Sequence, residues 1–397
     1  MLVLRLIVIV ILFTPMGLVA QKLQSSDNLK KAAGKILRQH VLTEAAWAMK
    51  QDPVTVTAHQ SARSTGGKHD FYSEGDYWWP NPANIDSPYI QKDGLTNPGN
   101  FTAHRKAMIR FSRIVGALAS AYILTGYKKY ALQAMRHCNA WFVDPSTLMN
   151  PHLLFAQAIK GRATGRGIGI IDTIHFLEIV QALLIFQKFH AIEARQVEPV
   201  RSWFMKYTDW LMTHPYGKDE MNALNNHGTC WVMQVAEFSK FTGNREIMNF
   251  CRDRYMHVLL PGQMATNGSF PLELKRTKPY GYSIFNLDAM AMICQILGDT
   301  LTGDLWIYEA PGGQSISKGI EYLFPYIKNK AEWPFNPDVM YWKEWPVAQP
   351  FLFLGAIRFS NNEWFKVWET LDHSPTNEEV IRNLPVRNPL IWIENIP

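Results

Sequence analysis

The chain has only four cysteines in 397 residues, Cys138, Cys230, Cys251 and Cys294, and no two of them stand in a CxxC spacing. The usual CxxC zinc spacing is thus absent, and buried thiols are expected rather than a disulfide framework. Cys138, Cys251 and Cys294 fall in apolar, helix-like segments where a buried thiol is expected. Alternating strand patterns are scarce, which argues against an all-β fold. After residue 20 no run reaches the ~18 uninterrupted apolar residues of a membrane span. Charge of one sign is also modest: 40 Lys+Arg against 34 Asp+Glu leave a net +6. Such an excess favours an acidic partner but does not require one.

The first twenty residues read as an export signal. Arg5 gives a positive start, residues 6–13 are apolar but short for a span, and Leu18-Val19-Ala20 ends in a small residue suited to cleavage. Removing Arg5 with this segment lowers the formal charge from +6 to +5. The expectation is a leader over 1–20 and a single domain over 21–397, secreted or periplasmic and with no membrane contact once cleaved. Asn100-Phe-Thr102 and Asn267-Gly-Ser269 fit the glycosylation pattern in a host that glycosylates.

What the chain has in quantity is helical periodicity. Residues 109–124 keep an apolar face until Thr125-Gly126, and another helix follows over 128–142. Residues 232–241 run into Thr242-Gly243-Asn244 before a helix over 246–258. Residues 287–301 run into Thr302-Gly303-Asp304. A glycine just past a helix accepts the left-handed capping conformation, so each Thr-Gly reads as a helix end. With amphipathic stretches over 174–190 and 200–212, the pattern predicts an all-α fold. The arrangement expected is an α/α toroid, an incomplete barrel of helical hairpins, with a general helical bundle as the alternative.

Three segments break the rhythm. Residues 64–103 are rich in Gly, Pro, Asn, Ser and Asp and carry Tyr77-Trp78-Trp79-Pro80. Long irregular stretches of this kind usually line a cleft. The second is Gly161-Arg162-Ala-Thr164-Gly165-Arg166-Gly167-Ile-Gly169, and the third is a Trp- and Pro-rich patch over 331–346. The glycine run lacks the preceding strand of a dinucleotide loop. The 14 Trp and 15 Tyr are many for this length; they lean slightly toward stacking on sugar rings, although aromatics also fill cores.

The chemistry concentrates in Asn225-Asn226-His227, Glu273-Leu-Lys-Arg276 and Tyr280-Gly-Tyr282. An amide, an imidazole, a guanidinium and a phenol suit the removal of a proton from carbon beside a carboxylate. Asn226 and Arg276 are candidates to neutralise that carboxylate by hydrogen-bond donation, and His227 and Tyr282 to exchange protons. No metal and no cofactor is needed. Each residue has a plainer reading alone: a core histidine, a packed tyrosine, a surface arginine. Arg162 and Arg166 are candidate partners for carboxylates of neighbouring sugars, and Trp78 and Trp79 for a stacking platform or a core plug. His175, three positions before a possible metal partner at Glu178, lacks a third ligand and reads as cleft-lining. Glu273 reads as an orienter of Arg276. Asp172, Glu273 and Asp288 are the carboxylates a glycoside hydrolase would use; a non-catalytic glycan-binding protein is the other alternative.

The blocks Asn225-Asn226-His227, Glu273-Leu-Lys-Arg276 and Tyr282-Ser-Ile-Phe285-Asn-Leu287 resemble the catalytic signature of the alginate lyase superfamily of α/α-toroid polysaccharide lyases. Tyr77-Trp78-Trp79-Pro80 and residues 161–172 resemble a secreted branch containing alginate and glucuronan lyases. The likeness covers roughly residues 70–350. It implies an acidic polysaccharide as partner rather than a nucleic acid, and cleavage of a polyuronate by β-elimination. It also implies Asn226 and Arg276 as neutralisers, His227 as base or further neutraliser, and Tyr282 as acid and, for same-face elimination, base. Arg276 and Tyr282 are six positions apart where the better-known branch has seven, so Tyr280 competes for the phenol. The spacing of Phe285 and Leu287 favours Tyr282.

Overall fold

The computed structural model describes residues 15–84, 86–298 and 303–393, so the expected leader lies mostly outside the described residues, as do Leu301 and Thr302 of the third Thr-Gly stop. Helix α1 (Pro15–Ala48) lies along α2 (Ala103–Thr125), which pairs with α3 (Lys129–Phe142). A 3-10 stretch, Gly167–His175, runs straight into α4 (Phe176–Lys188). α5 (Ala194–Thr213) and the short α6 (Pro215–Met221) lead to α7 (Asn226–Thr242), and α8 (Arg245–Arg254) returns along it. After the single turns α9 (Leu260–Gln263) and α10 (Pro271–Leu274), α11 (Pro279–Leu297) pairs with α12 (Ile316–Lys328). α13 (Pro350–Phe359) pairs with α14 (Asn362–Thr370), and α15 (Glu378–Arg382) follows.

The pairs are arranged around a ring. α2 packs on α4, α4 on α7, α7 on α11 and α11 on α13, while α1 bridges α13 and α2. This is the α/α toroid that the periodicity predicts. α7 and α11 are buried around nearly their whole circumference, as a helix enclosed by others must be. α8 and α12 keep a solvent face. All four cysteines are free thiols inside the packing.

Two of the three Thr-Gly stops behave as expected. Gly126 (φ 71°) ends α2 and Gly243 (φ 76°) ends α7, both in the left-handed region. The third does not. α11 ends at Leu297, where the Gly298 N–H gives its hydrogen to the Cys294 carbonyl at 2.8 Å and the chain then leaves the helix. An earlier glycine pre-empted the stop expected at Gly303.

The irregular segments contribute short strands. β1 (Tyr72–Glu74) is to pair in parallel with β4 (Phe155–Ala158), and between them in sequence β2 (Trp78–Trp79) pairs antiparallel with β3 (Ile90–Gln91). The Trp-rich patch braces one helix start: Asp338 accepts hydrogen bonds from the Tyr280 and Gly281 N–H groups at 2.9 Å each, capping α11.

Glu237 on α7 is fully buried, and neither carboxyl oxygen has a hydrogen-bond partner. Burial pushes its pKa up to about 7 from 4.5. The folded state therefore holds a proton that the unfolded chain gives up, and stability declines as pH rises from 4.5 through 7. Glu237→Gln is expected to recover on the order of 3 kcal/mol above that window. It should change little near pH 4.5. Thermal unfolding at both ends of the window checks this.

Candidate active site

The start of α7, the approach to α11, the entry to α4 and the β2–β3 hairpin meet around a cleft of about 110 Å³. Asn226, His227, Arg276 and Tyr282 all line it, together with Trp78 and Arg166. Helix starts suit an anion site because their first N–H groups lack partners within the helix.

Asn226 and His227 open α7. The backbone N–H and Nδ2 of Asn226 both donate to Glu273 Oε1, each at 2.8 Å. One amide hydrogen is committed; the other, and Oδ1, are left for a ligand. His227 Nδ1 lies 2.7 Å from Glu220 Oε1, and its side chain keeps 21% exposure. Burial opposes the imidazolium, but the charge of Glu220 and its hydrogen bond outweigh that, so the His227 pKa is raised.

Arg276 stands in the loop ahead of α11 and leans on Asp93, just past β3. Its Nη2 and Nε reach Asp93 at 2.9 and 3.4 Å, and Thr277 Oγ1 donates to the same carboxylate at 2.9 Å. The guanidinium lies 4.6 Å from the centre of the Tyr282 ring. Tyr282 Oη is 2.6 Å from Tyr77 Oη. Burial, and then the neighbouring Tyr77, push the Tyr282 pKa well up.

Tyr280 goes elsewhere. It is fully buried, edge-on to Trp333 and Trp342, and its hydroxyl donates to the Tyr326 carbonyl at 3.0 Å. Residues two apart on a helix point to nearly opposite sides, so a cleft-facing Tyr282 sends Tyr280 into the core. The expected place along the cleft is thus taken by Tyr282 and not by Tyr280.

Other expectations also change. Glu273 does not hydrogen-bond Arg276; it holds Asn226, and Asp93 takes the guanidinium. His175 is 1% exposed and its imidazole cation is strongly disfavoured by burial, so it lies beneath the cleft rather than along it. Trp78 faces the cleft, while Trp79 turns to the other face of the strand, where its indole N–H donates to the Leu95 carbonyl at 2.8 Å. Arg162 lines a neighbouring groove of about 790 Å³, with its guanidinium 5.2 Å from the Trp78 ring. Asn225 contributes its carbonyl to Gln263 Nε2 at 2.9 Å, outside the cleft lining.

Arg166 donates through Nε to the Gln157 carbonyl at 2.9 Å and through Nη2 to Gln157 Oε1 at 3.3 Å. It makes no ion pair among the described residues, and burial pulls its pKa down to about 10. Gln157 itself sits at φ 50°, in the left-handed region. Residues the sequence reading overlooked include Asp93, Gln157, Glu220, Arg382 and Asn383. Gln157 lies four positions before Gly161, Glu220 five before Asn225, and Asp93 within the irregular segment 64–103, whereas Arg382 and Asn383 lie near no motif.

Neither carboxylate left for a hydrolase reaches the cleft. Asp172 accepts from Ser73 Oγ at 2.5 Å and lies 3.4 Å from Arg105, and Asp288 is sealed against the Phe351 N–H at 2.9 Å. The carboxylates that do line it, Asp76 and Asp93, are both paired with arginines.

The alginate lyase family matches residues 55–333. The chain belongs to the alginate lyase family. Among solved structures, an alginate lyase from Bacteroides ovatus is 30% identical, with a TM-score of 0.78 over 94% of this chain and 98% of that one. Alginate lyase A1-III from Sphingomonas species A1 shares the fold at 15% identity, with a TM-score of 0.54 over 82% of this chain and 88% of that one. A variant of A1-III complexed with a tetrasaccharide gives 14% identity and a TM-score of 0.56 over 82% and 88%. No curated protein sequence matches. This member of the alginate lyase family is thus a polysaccharide lyase on an α/α toroid.

Glu220 sets the charge of His227. Glu220→Gln should lower the His227 pKa, and an NMR titration of the imidazole in both proteins measures the difference. An unchanged midpoint would remove Glu220 from the site.

Proposed function

We propose that the enzyme cleaves a 1,4-linked uronate polymer by β-elimination, alginate first and glucuronan second, leaving a 4,5-unsaturated sugar at the new end. The observation that carries this reading is the meeting of Asn226, His227, Arg276 and Tyr282 around one cleft. Removing the C5 proton adds charge beside an existing carboxylate, so the site must first draw charge off that group. Arg276, the remaining Asn226 donor and a protonated His227 supply donors for it.

Glu220 favours the imidazolium form of His227. An imidazolium donates and cannot accept, so His227 acts here as a neutraliser, and the base role passes to Tyr282. The same phenol then returns the proton to the departing O4, which means elimination on one face of the ring. Arg166, without a carboxylate partner among the described residues, is placed to take the carboxylate of an adjacent sugar. The leader expected over residues 1–20 fits export to where such polymers are met.

Incubation with mannuronate-, guluronate- and glucuronate-rich polymers should raise the ultraviolet absorbance of the enol ether conjugated with the carboxylate. No rise on any of them rejects the reading, and retention of undegraded oligomers would instead indicate a binding protein. Tyr282→Phe is expected to lose about 10²–10⁴-fold in kcat while keeping fold and binding, since only the proton-transfer hydroxyl goes. Arg276→Lys should also fail in steady-state assays, because a point charge does not reproduce planar two-point donation.

A further inference from the structure

Lys278 is a buried cation behind the phenol that neither the sequence motifs nor the proposed reaction uses. Its side chain is 4% exposed, and Nζ lies 2.6 Å from Glu379 Oε1 on α15. It stands 4.9 Å from the ring centre of Tyr77 and 5.2 Å from that of Tyr282. One ammonium group thus lies over both phenol rings. α15 is itself tied in: Arg382 bonds Glu379 at 2.9 Å and Asp76 at 3.0 Å, and Arg382 lines the cleft.

The two phenol oxygens lie 2.6 Å apart, and either hydroxyl can donate to the other. When Tyr77 is the donor, Tyr282 keeps its own hydrogen, or in the ionised form a lone pair, for the cleft. The Lys278 ammonium is the nearest buried cation over both rings.

We propose that Lys278, held by Glu379, is a positioning residue that polarises the Tyr77–Tyr282 pair so that the Tyr282 oxygen serves both as acid and as base toward the substrate. The inference rests on the lyase reading of the same cleft. A phenolate at Tyr282 is favoured by two cations, Lys278 behind it and Arg276 over its ring, which work against the neighbouring Tyr77. Burial alone would oppose the phenolate, and Tyr282 is only 8% exposed. The other groups facing this pair are Asp76 beside Tyr77, Glu379 and Arg382 from α15, and Asp338 and Tyr341 from the Trp-rich patch. Glu379 and Asp76 are each shared with Arg382.

The family match ends at residue 333, so Glu379 and Arg382 lie beyond it. The C-terminal segment is thus read as part of the catalytic apparatus, acting through Lys278.

The test compares Lys278→Met, Lys278→Arg and the double variant Lys278→Met/Glu379→Met. The double variant removes both buried charges, which avoids leaving one unpaired in the interior. Expected for both Met variants is a loss of about 10- to 100-fold in kcat with KM within about twofold. The ascending alkaline limb of the kcat profile should also move to higher pH. Lys278→Arg should restore most of the loss. Independently of turnover, ultraviolet titration of each protein against its own Tyr282→Phe counterpart isolates ionisation of the Tyr282 phenol. That ionisation should shift upward when Lys278 is removed. Folded Met variants with the parent pH profile and an unmoved Tyr282 titration would overturn the proposal. If the parent enzyme leaves every polyuronate intact while the titration still shifts, the lyase reading fails and the coupling of Lys278 to Tyr282 stands.

Discussion

A phenol held out of water between two cations is the arrangement on which the rest of this structure depends. Tyr282 meets Tyr77 at one oxygen, Arg276 over its ring, and Lys278 behind. Charges at such depth are costly unless each finds a partner. The surrounding scaffold can be read as the answer to that demand. Arg276 has Asp93, Lys278 has Glu379, Arg382 has both Glu379 and Asp76, and Arg105 joins Asp76 to Asp172. These partners come from the hairpin segment, from α2, from the stretch before α4 and from α15. Pairing the site's charges therefore also fastens distant parts of the chain together.

The toroid makes this possible through geometry. Its inner helices begin at one end of the ring, where α7 and α11 present their first turns. Each start is capped by a carboxylate from another segment: Glu273 for α7 and Asp338 for α11. Beside those caps Asn226 and Tyr282 are largely buried, at 3% and 8% exposed. Arg166 contrasts with them. It faces the same cleft with hydrogen bonds to Gln157 and the Trp78 ring 5.8 Å away, and has no carboxylate partner among the described residues.

The sequence disclosed the fold and the residues that line the cleft better than their supports. Apolar spacing and glycine stops are local signals, and they located α2 and α7 with their ends. The failure at Gly303 was also local, since Gly298 offered an earlier exit. The motif blocks picked out Asn226, His227, Arg276 and Tyr282, which line one cleft, and the spacing to Phe285 and Leu287 favoured Tyr282 over the buried Tyr280. Glu273, by contrast, was assigned to Arg276 because it is near in sequence. In space it faces the start of α7, while the guanidinium pairs with Asp93, 183 positions away. Glu379 and Arg382 carry no motif, and only long-range packing brings them behind the phenol. Pairings between distant charges leave no periodic trace along a chain.

The most direct test of the account is a crystal structure of the Tyr282→Phe protein with a bound uronate oligosaccharide. The account predicts one sugar carboxylate within hydrogen-bonding distance of Asn226, His227 and Arg276, with C5 and O4 of the linkage on the side of residue 282. A carboxylate bound away from those three groups, or a linkage facing away from residue 282, would contradict it.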